Sequence, residues 1–266
     1  MAYQYLKVTR DAGVLTCTLT NPPMNFMNHG MVRELDALTR QVEKSSADRV
    51  LVFTGDVEGI FITHYDVSEL TVIADQSGKT DLAAAEDAGL IHTVFNRLER
   101  MPKITIAALN GTAMGGGCEL SLACDFRLMA DGPYRYGLPE TSLGIIPGAG
   151  GTQRLARLLG VARALDLILH GTILTPIEAH ALGLVHRLFA PALFATRVAG
   201  FAGALAQRAP IALAAAKEAV RRGVELTLDE GIAVERRAFA RTMRSADARG
   251  AMQAYLRGEV YEFKGQ

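Results

Sequence analysis

Lys103-Ile104-Thr105-Ile106-Ala107-Ala108-Leu109-Asn110-Gly111, continuing through Gly115-Gly116-Gly117-Cys118-Glu119-Leu120 to Cys124-Asp125, decides the fold. Residues 104–109 form a short apolar run rich in strand formers, the pattern of a buried strand, and Asn110-Gly111 ends it in a turn. Three successive glycines then let the backbone pass close to a ligand with no Cβ in the way. A helix starting here, read over 119–124, aims its first amides at bound negative charge. Taken alone, the same glycines serve close helix packing just as well. Residues 126–129 read as the next strand. Strand, glycine turn, helix and strand in succession describe a layered α/β fold.

The same alternation extends outward in both directions. Upstream, residues 5–8 and 14–19 alternate apolar and polar positions around Asp11-Ala12-Gly13, which predicts a hairpin. A helical period follows over 31–42, then a strand over 50–53, then a helical stretch over 81–101 closed by Pro102. Downstream, Gly148-Ala149-Gly150-Gly151 precedes a helix over 153–159. Beyond about residue 190 strand signals vanish, and amphipathic helices run near 192–208, 210–223, 229–243 and 247–257, with Pro210 and Gly223 between them. No repeat at a solenoid period is present.

Composition narrows the function classes. The 266 residues are 49% apolar and 21% charged, ordinary for a folded globular chain. Lys plus Arg and Asp plus Glu both number 28, so no long-range field gathers nucleic acid or an anionic membrane, and an anionic ligand must be held by local groups. No run reaches the roughly 18 apolar residues of a membrane-spanning helix. The N-terminus lacks the basic and apolar regions of a secretory signal, which predicts a cytoplasmic protein. Cys17, Cys118 and Cys124 form no closed disulfide set and show no zinc-site spacing, so buried thiols in a reducing compartment and no metal are expected.

Two glutamates carry the chemistry. Read alone, Glu119 is an acidic residue in the first turn of a helix, where the dipole favours it as a cap. A second glutamate stands 21 positions on, in Gly137-Leu138-Pro139-Glu140, and a carboxylate pair can divide proton removal from proton delivery. Such neighbours raise one another's proton affinity and titrate as a pair. The later glycine cluster lacks the Gly-Lys-Ser/Thr ending of a phosphate loop and is not a dinucleotide fingerprint. Ser121 and Cys118 lie outside any nucleophile-elbow motif, which disfavours a serine or thiol hydrolase.

The stretch from Lys103 to Asp125 is similar to the signature of the enoyl-CoA hydratase (crotonase) family. Leu143-Gly144-Ile145-Ile146-Pro147-Gly148-Ala149-Gly150-Gly151-Thr152-Gln153-Arg154-Leu155 matches that family almost residue for residue. Thr175 to Val185 resembles its short helix and following strand, with Pro176 at a helix's first position. The resemblance covers about residues 3–257. It implies an α/β crotonase spiral of ββα units over 1–190 and a helical C-terminal trimerisation region over 191–266, in homotrimers or homohexamers.

The resemblance further implies reversible hydration of a trans-2-enoyl-CoA, a fatty-acid β-oxidation type of reaction, with Glu119 activating water and Glu140 delivering a proton to the α carbon. The amides of Gly116 and Tyr65 would hold the thioester oxygen, one such donor contributing about 3 kcal/mol. Contacts to substrate or coenzyme A are expected from Met24, Phe26, Thr63, His64, Asp66 and Val67, and from Gly115, Pro139 and Gly148. Coenzyme A is part of the substrate and no separate cofactor is implied. Double-bond isomerisation through the same enolate, and a non-catalytic binding protein, stand as alternatives.

Three features depart from the family pattern. The glutamate spacing is one residue longer, assigned to Asp131-Gly132-Pro133. The second oxyanion loop reads Phe61-Ile62-Thr63-His64-Tyr65-Asp66-Val67, with His64 at a usual glycine and Tyr65 at a usual small residue. Tyr65 can still donate its backbone amide, provided its ring points away from the acyl group or reshapes the pocket. His64 is read as a loop residue hydrogen-bonded locally, with proton exchange as the sharper alternative. Gly258 stands where a lysine is common, beside Arg257, which weakens the expected 3′-phosphate contacts.

Overall fold

The computed structural model describes residues 3–77 and 89–266. Strands β1 (Leu6–Asp11) and β2 (Val14–Leu19) pair antiparallel across Ala12-Gly13, both with positive φ, the conformation a two-residue hairpin turn requires. Helix α1 (His29–Lys44) starts earlier than its apolar period suggests, because the Asn28 side chain accepts from the Met31 amide and caps it. Then come β3 (Val50–Gly55), β4 (Ile60–Ile62), α2 (Val67–Ser77) and α3 (Leu90–Arg100). The helical stretch expected over 81–101 is helical over Leu90–Arg100, and 81–88 lies outside the described residues.

The central passage folds as β5 (Ile104–Leu109), β6 (Thr112–Met114) and α4 (Gly116–Ala123), so the helix expected over 119–124 begins three residues earlier, directly on the glycines. There follow β7 (Phe126–Ala130), β8 (Tyr136–Gly137), a 3-10 turn over Glu140–Leu143, α5 (Gly151–Leu159), α6 (Val161–Leu169) and β9 (Ile173–Leu174). Helix α7 (Pro176–Ala181) carries Pro176 in its first turn and a capping box between Thr175 and Glu178. The strand expected within 175–185 forms a little later, as β10 (Arg187–Phe189). Helices α8 (Phe194–Ala206), α9 (Pro210–Gly223), α10 (Leu228–Met243) and α11 (Ala246–Leu256) complete the chain.

Two sheets share these strands. One runs β1-β2-β3-β5-β7-β10, parallel from β2 onward, and the other runs β4-β6-β8-β9. Consecutive strands therefore alternate between sheets: β3 then β4, β5 then β6, β7 then β8, each pair followed by helix. That is a spiral of strand–strand–helix turns. Asn110 fastens one crossing, its side chain bonding both the amide and the carbonyl of Gly55.

The large sheet is covered on both faces at β3 and β5, which is why these strands read as continuous apolar runs. Leu51, Phe53, Ala107, Leu109 and Met129 face a core shared with α1, α3 and α4. Val50, Val52, Ile104, Ile106 and Leu128 face Phe194, Val198, Ala202 and Ala206 of α8. No single helix among the described residues is long and apolar enough to cross a membrane.

Candidate active site

Gly115 leaves β6 with φ +48° and ψ −124°, a conformation open to glycine, and starts α4. Glu119 follows on the helix's first turn, its amide bonded to the Gly115 carbonyl at 2.9 Å and its residue surface 3% exposed. Its Oε1 accepts from the amides of Ala149 (2.7 Å) and Gly151 (2.8 Å), so the second glycine cluster is the anchor of this carboxylate. Burial raises its proton affinity, while these two amides and the Arg154 charge act in the opposite direction. Arg154 of α5 fixes the anchoring loop, donating to the Ala149 carbonyl (3.0 Å), Asn96 (2.8 Å) and Glu99 (3.0 Å).

Glu140 opens the 3-10 turn after β8 and reaches the same place from the opposite side. A Cβ built on Gly115 would lie 3.2 Å from its Oε1, so the carboxyl group rests on that glycine. Its Oε2 is buried and makes no hydrogen bond within the described protein. Desolvation first, and the negative charge of Glu119 in addition, push its pKa up to about 7. Both acids share one cavity but differ in environment: Glu119 is held by two donors and Glu140 is left with a free oxygen.

The main-chain donors lie beside them. Tyr65 bridges Met27 as a short parallel ladder, in which the His64 carbonyl accepts from Met27 and the Asp66 amide donates to Met27. Ladder alternation turns the Tyr65 amide to the other side, where it has no acceptor among the described residues. The Gly116 amide, at the start of α4, is likewise unpaired there. A Cβ on Gly116 would lie 3.6 Å from the Tyr65 nitrogen, so the two donors are adjacent.

Tyr65 lines the cavity with its hydroxyl toward Glu69 of α2, and burial first, with that carboxylate in addition, raises its pKa. His64 shares its Nδ1 with the Tyr65 carbonyl at 2.7 Å and stacks on Phe26 with ring centroids 4.6 Å apart. The local hydrogen bond read from the sequence is therefore present, and His64 also lines the cavity.

That cavity has a volume of about 820 Å³. Of the residues singled out in the sequence, Glu119, Glu140, Tyr65, Gly116, His64, Val67, Gly115, Pro139 and Gly148 line it. Met24, Phe26, Thr63 and Asp66 do not. Thr63 is buried with its hydroxyl on the Met24 carbonyl, Phe26 backs His64, and Asp66 caps α2 through the Ser68 amide at 2.9 Å. The sequence reading missed His29 and Glu69, which also line the cavity, and the anchoring role of the Ala149 and Gly151 amides. The matched glycine cluster contained those amides; nothing in the local pattern marked Glu69. No group of three or more His, Cys, Asp or Glu side chains suited to a metal ion occurs among the described residues.

A spiral of strand–strand–helix turns, closing on a cavity with two acids and two adjacent unpaired amides, defines a crotonase-fold protein. A sequence model of the enoyl-CoA hydratase/isomerase family matches residues 9–266. The short-chain-enoyl-CoA hydratase of Clostridium acetobutylicum is 33% identical over 93% of this chain and 92% of its own length. The 2,3-dehydroadipyl-CoA hydratase of Escherichia coli is 36% identical over 98% and 99%. The crystal structure of an enoyl-CoA hydratase from Bacillus anthracis superposes with a TM-score of 0.90 at 34% identity, covering 99% of this chain and 100% of that one. The chain belongs to the enoyl-CoA hydratase/isomerase family.

Proposed function

We propose that the protein catalyses the reversible addition of water to a trans-2-enoyl-CoA, giving a 3-hydroxyacyl-CoA. The observation that carries this reading is the unequal carboxyl pair at one cavity, Glu119 anchored by two amides and Glu140 raised to about 7 with a free buried oxygen. Glu119, ionised, takes a proton from water as its oxygen bonds to C3. The electron pair of the double bond moves toward the thioester, whose oxygen gains charge under the amides of Tyr65 and Gly116. Glu140, protonated, then delivers its proton to C2. Water is the only co-reactant, and coenzyme A enters as part of the substrate. Isomerisation needs a single proton shuttle, so two acids on one cavity favour hydration.

The test is steady-state hydration of crotonyl-CoA and longer enoyl-CoAs, with Glu119→Gln and Glu140→Gln each expected to lower kcat by roughly 100- to 10,000-fold. Because the two act as a unit, the double variant should fall little further than the worse single one. Unchanged turnover in the double variant removes the mechanism. The proposed assembly is a homotrimer or a hexamer of two trimers.

A further inference from the structure

One side of the cavity is built from α1, α2 and α3, and it combines an apolar wall with the Glu69 carboxylate. Val32, Leu70, Ile73 and Ile91 supply the wall. Val72 and Ile73 are 54% and 41% exposed, apolar surface that the chain itself leaves uncovered on the cavity. Glu69 stands among them, near the Tyr65 hydroxyl and accepting the His29 amide on Oε2 at 2.9 Å. That amide belongs to the first residue of α1, where the helix dipole favours an anion. The described residues lining the cavity include three carboxylates, Glu69, Glu119 and Glu140, and neither lysine nor arginine.

Geometry relates Glu69 to the bound substrate. The Tyr65 amide is the proposed oxyanion donor, and the ring of the same residue ends on Glu69. Glu69 therefore lies about one tyrosine side chain away from the thioester, a length comparable to that of a six-carbon acyl chain beyond its carbonyl. An uncharged chain there meets apolar surface. A chain ending in a carboxylate meets a like charge, with His29 and His64 but neither lysine nor arginine among the described residues lining the cavity, and bringing like charges together away from water is unfavourable.

We propose that Glu69, held by the N-terminus of α1 beside Tyr65, makes this pocket select 2-enoyl thioesters with uncharged apolar chains longer than four carbons and reject those ending in a carboxylate. This rests on the hydratase reading for its chemistry but not for its recognition. It separates this chain from a relative as similar as the 2,3-dehydroadipyl-CoA hydratase, whose named substrate carries that terminal carboxylate.

The experiment compares trans-2-hexenoyl-CoA with 2,3-dehydroadipyl-CoA, equal in length and different in charge, on the full chain and on Glu69→Gln. Glutamine is isosteric, keeps one acceptor oxygen for the His29 amide and removes the charge. The expected result is a kcat/KM ratio of roughly tenfold or more favouring hexenoyl-CoA, shrinking by roughly fivefold or more in the variant. Lengthening the neutral chain from four to six carbons should raise kcat/KM by roughly three- to fourfold per methylene. A ratio below tenfold in the unaltered protein, or one that Glu69→Gln leaves unmoved, overturns the proposal. Calorimetric binding of the saturated hexanoyl- and adipyl-CoA to the unaltered protein reads the same preference without turnover or a variant. If neither enoyl thioester is hydrated while hexanoyl-CoA binds more tightly, the hydratase reading fails and the selectivity stands; equal binding removes the selectivity.

Discussion

Glu119 and Glu140 show how one side-chain type acquires two protonation behaviours. Both pKa values are raised, by desolvation first; at Glu119 two main-chain donors and a nearby arginine oppose the rise, at Glu140 only its own backbone does, which supports the proposed role of Glu119 as the base. For Glu140 the raised value fixes the sign of a stability effect. Between the ordinary carboxyl pKa of 4.5 and about 7 the folded chain holds a proton that the unfolded chain has lost. Stability from this group is thus fully present below 4.5 and is lost as pH rises through 7. Glu140→Gln removes the penalty of the buried anion. Its unfolding free energy relative to the unaltered protein should rise by about 1–2 kcal/mol between pH 5 and pH 8, after allowing for solvent reaching the cavity mouth. Urea unfolding at the two pH values measures it, and a constant difference would contradict the assignment.

The N-terminus of α4 separates two uses of glycine that its sequence leaves merged. Gly115 needs its positive φ and lies against the Glu140 carboxyl, whereas a Cβ on Gly117 would meet the Ile62 carbonyl at 2.5 Å and the Ile62 Cβ at 2.7 Å. Gly117 is therefore the packing glycine, pressing α4 onto β4, and Gly115 belongs to the site. Gly117→Ala should destabilise the fold by about 1–3 kcal/mol through overpacking. Gly115→Ala should combine a strain of about 1–3 kcal/mol with a loss of hydration rate larger than its loss of stability accounts for. Thermal melts beside kcat at a temperature where both variants stay folded distinguish the two. The large sheet was legible from sequence through β3 and β5, which are continuous apolar runs, and through β1 and β2, which alternate around a tight turn. The small sheet was not, because strands such as β8 and β9 have two residues each and draw their order from parallel or antiparallel neighbours rather than from any period. The carboxylate pair was legible through its motifs. Glu69 was invisible because only the docking of α2 against α1 brings it to the cavity.

Across the whole molecule, an ionic chain ties the C-terminal helices to the site. Lys217 and Arg221 of α9 grip Asp125 at 2.8 and 2.9 Å, Arg221 reaches Glu99 of α3 at 2.9 Å, and Glu99 holds Arg154, which in turn fixes the loop that anchors Glu119. The helical region thus braces the loop that anchors Glu119, while apolar faces stay bare on α6 and near the end of α9. On α6, Val161, Leu165 and Leu169 recur every fourth residue and are 66%, 51% and 66% exposed, one continuous stripe on a single helix face. Val220 on α9 and Val224 just past its end repeat the spacing, at 72% and 79%. Stripes of this kind are uncommon on a monomer, and the proposed trimer would cover them. Light scattering should therefore return a mass of about 86 kDa or twice that, against 28.6 kDa for one chain. The joint substitution Leu165→Glu with Leu169→Glu places two charges on the α6 stripe, where an interface would bury them unpaired, and should shift the population toward 28.6 kDa. A single-chain mass for the unaltered protein at micromolar concentration would mean that these stripes face water in the native state, and the proposed trimer would have to be abandoned.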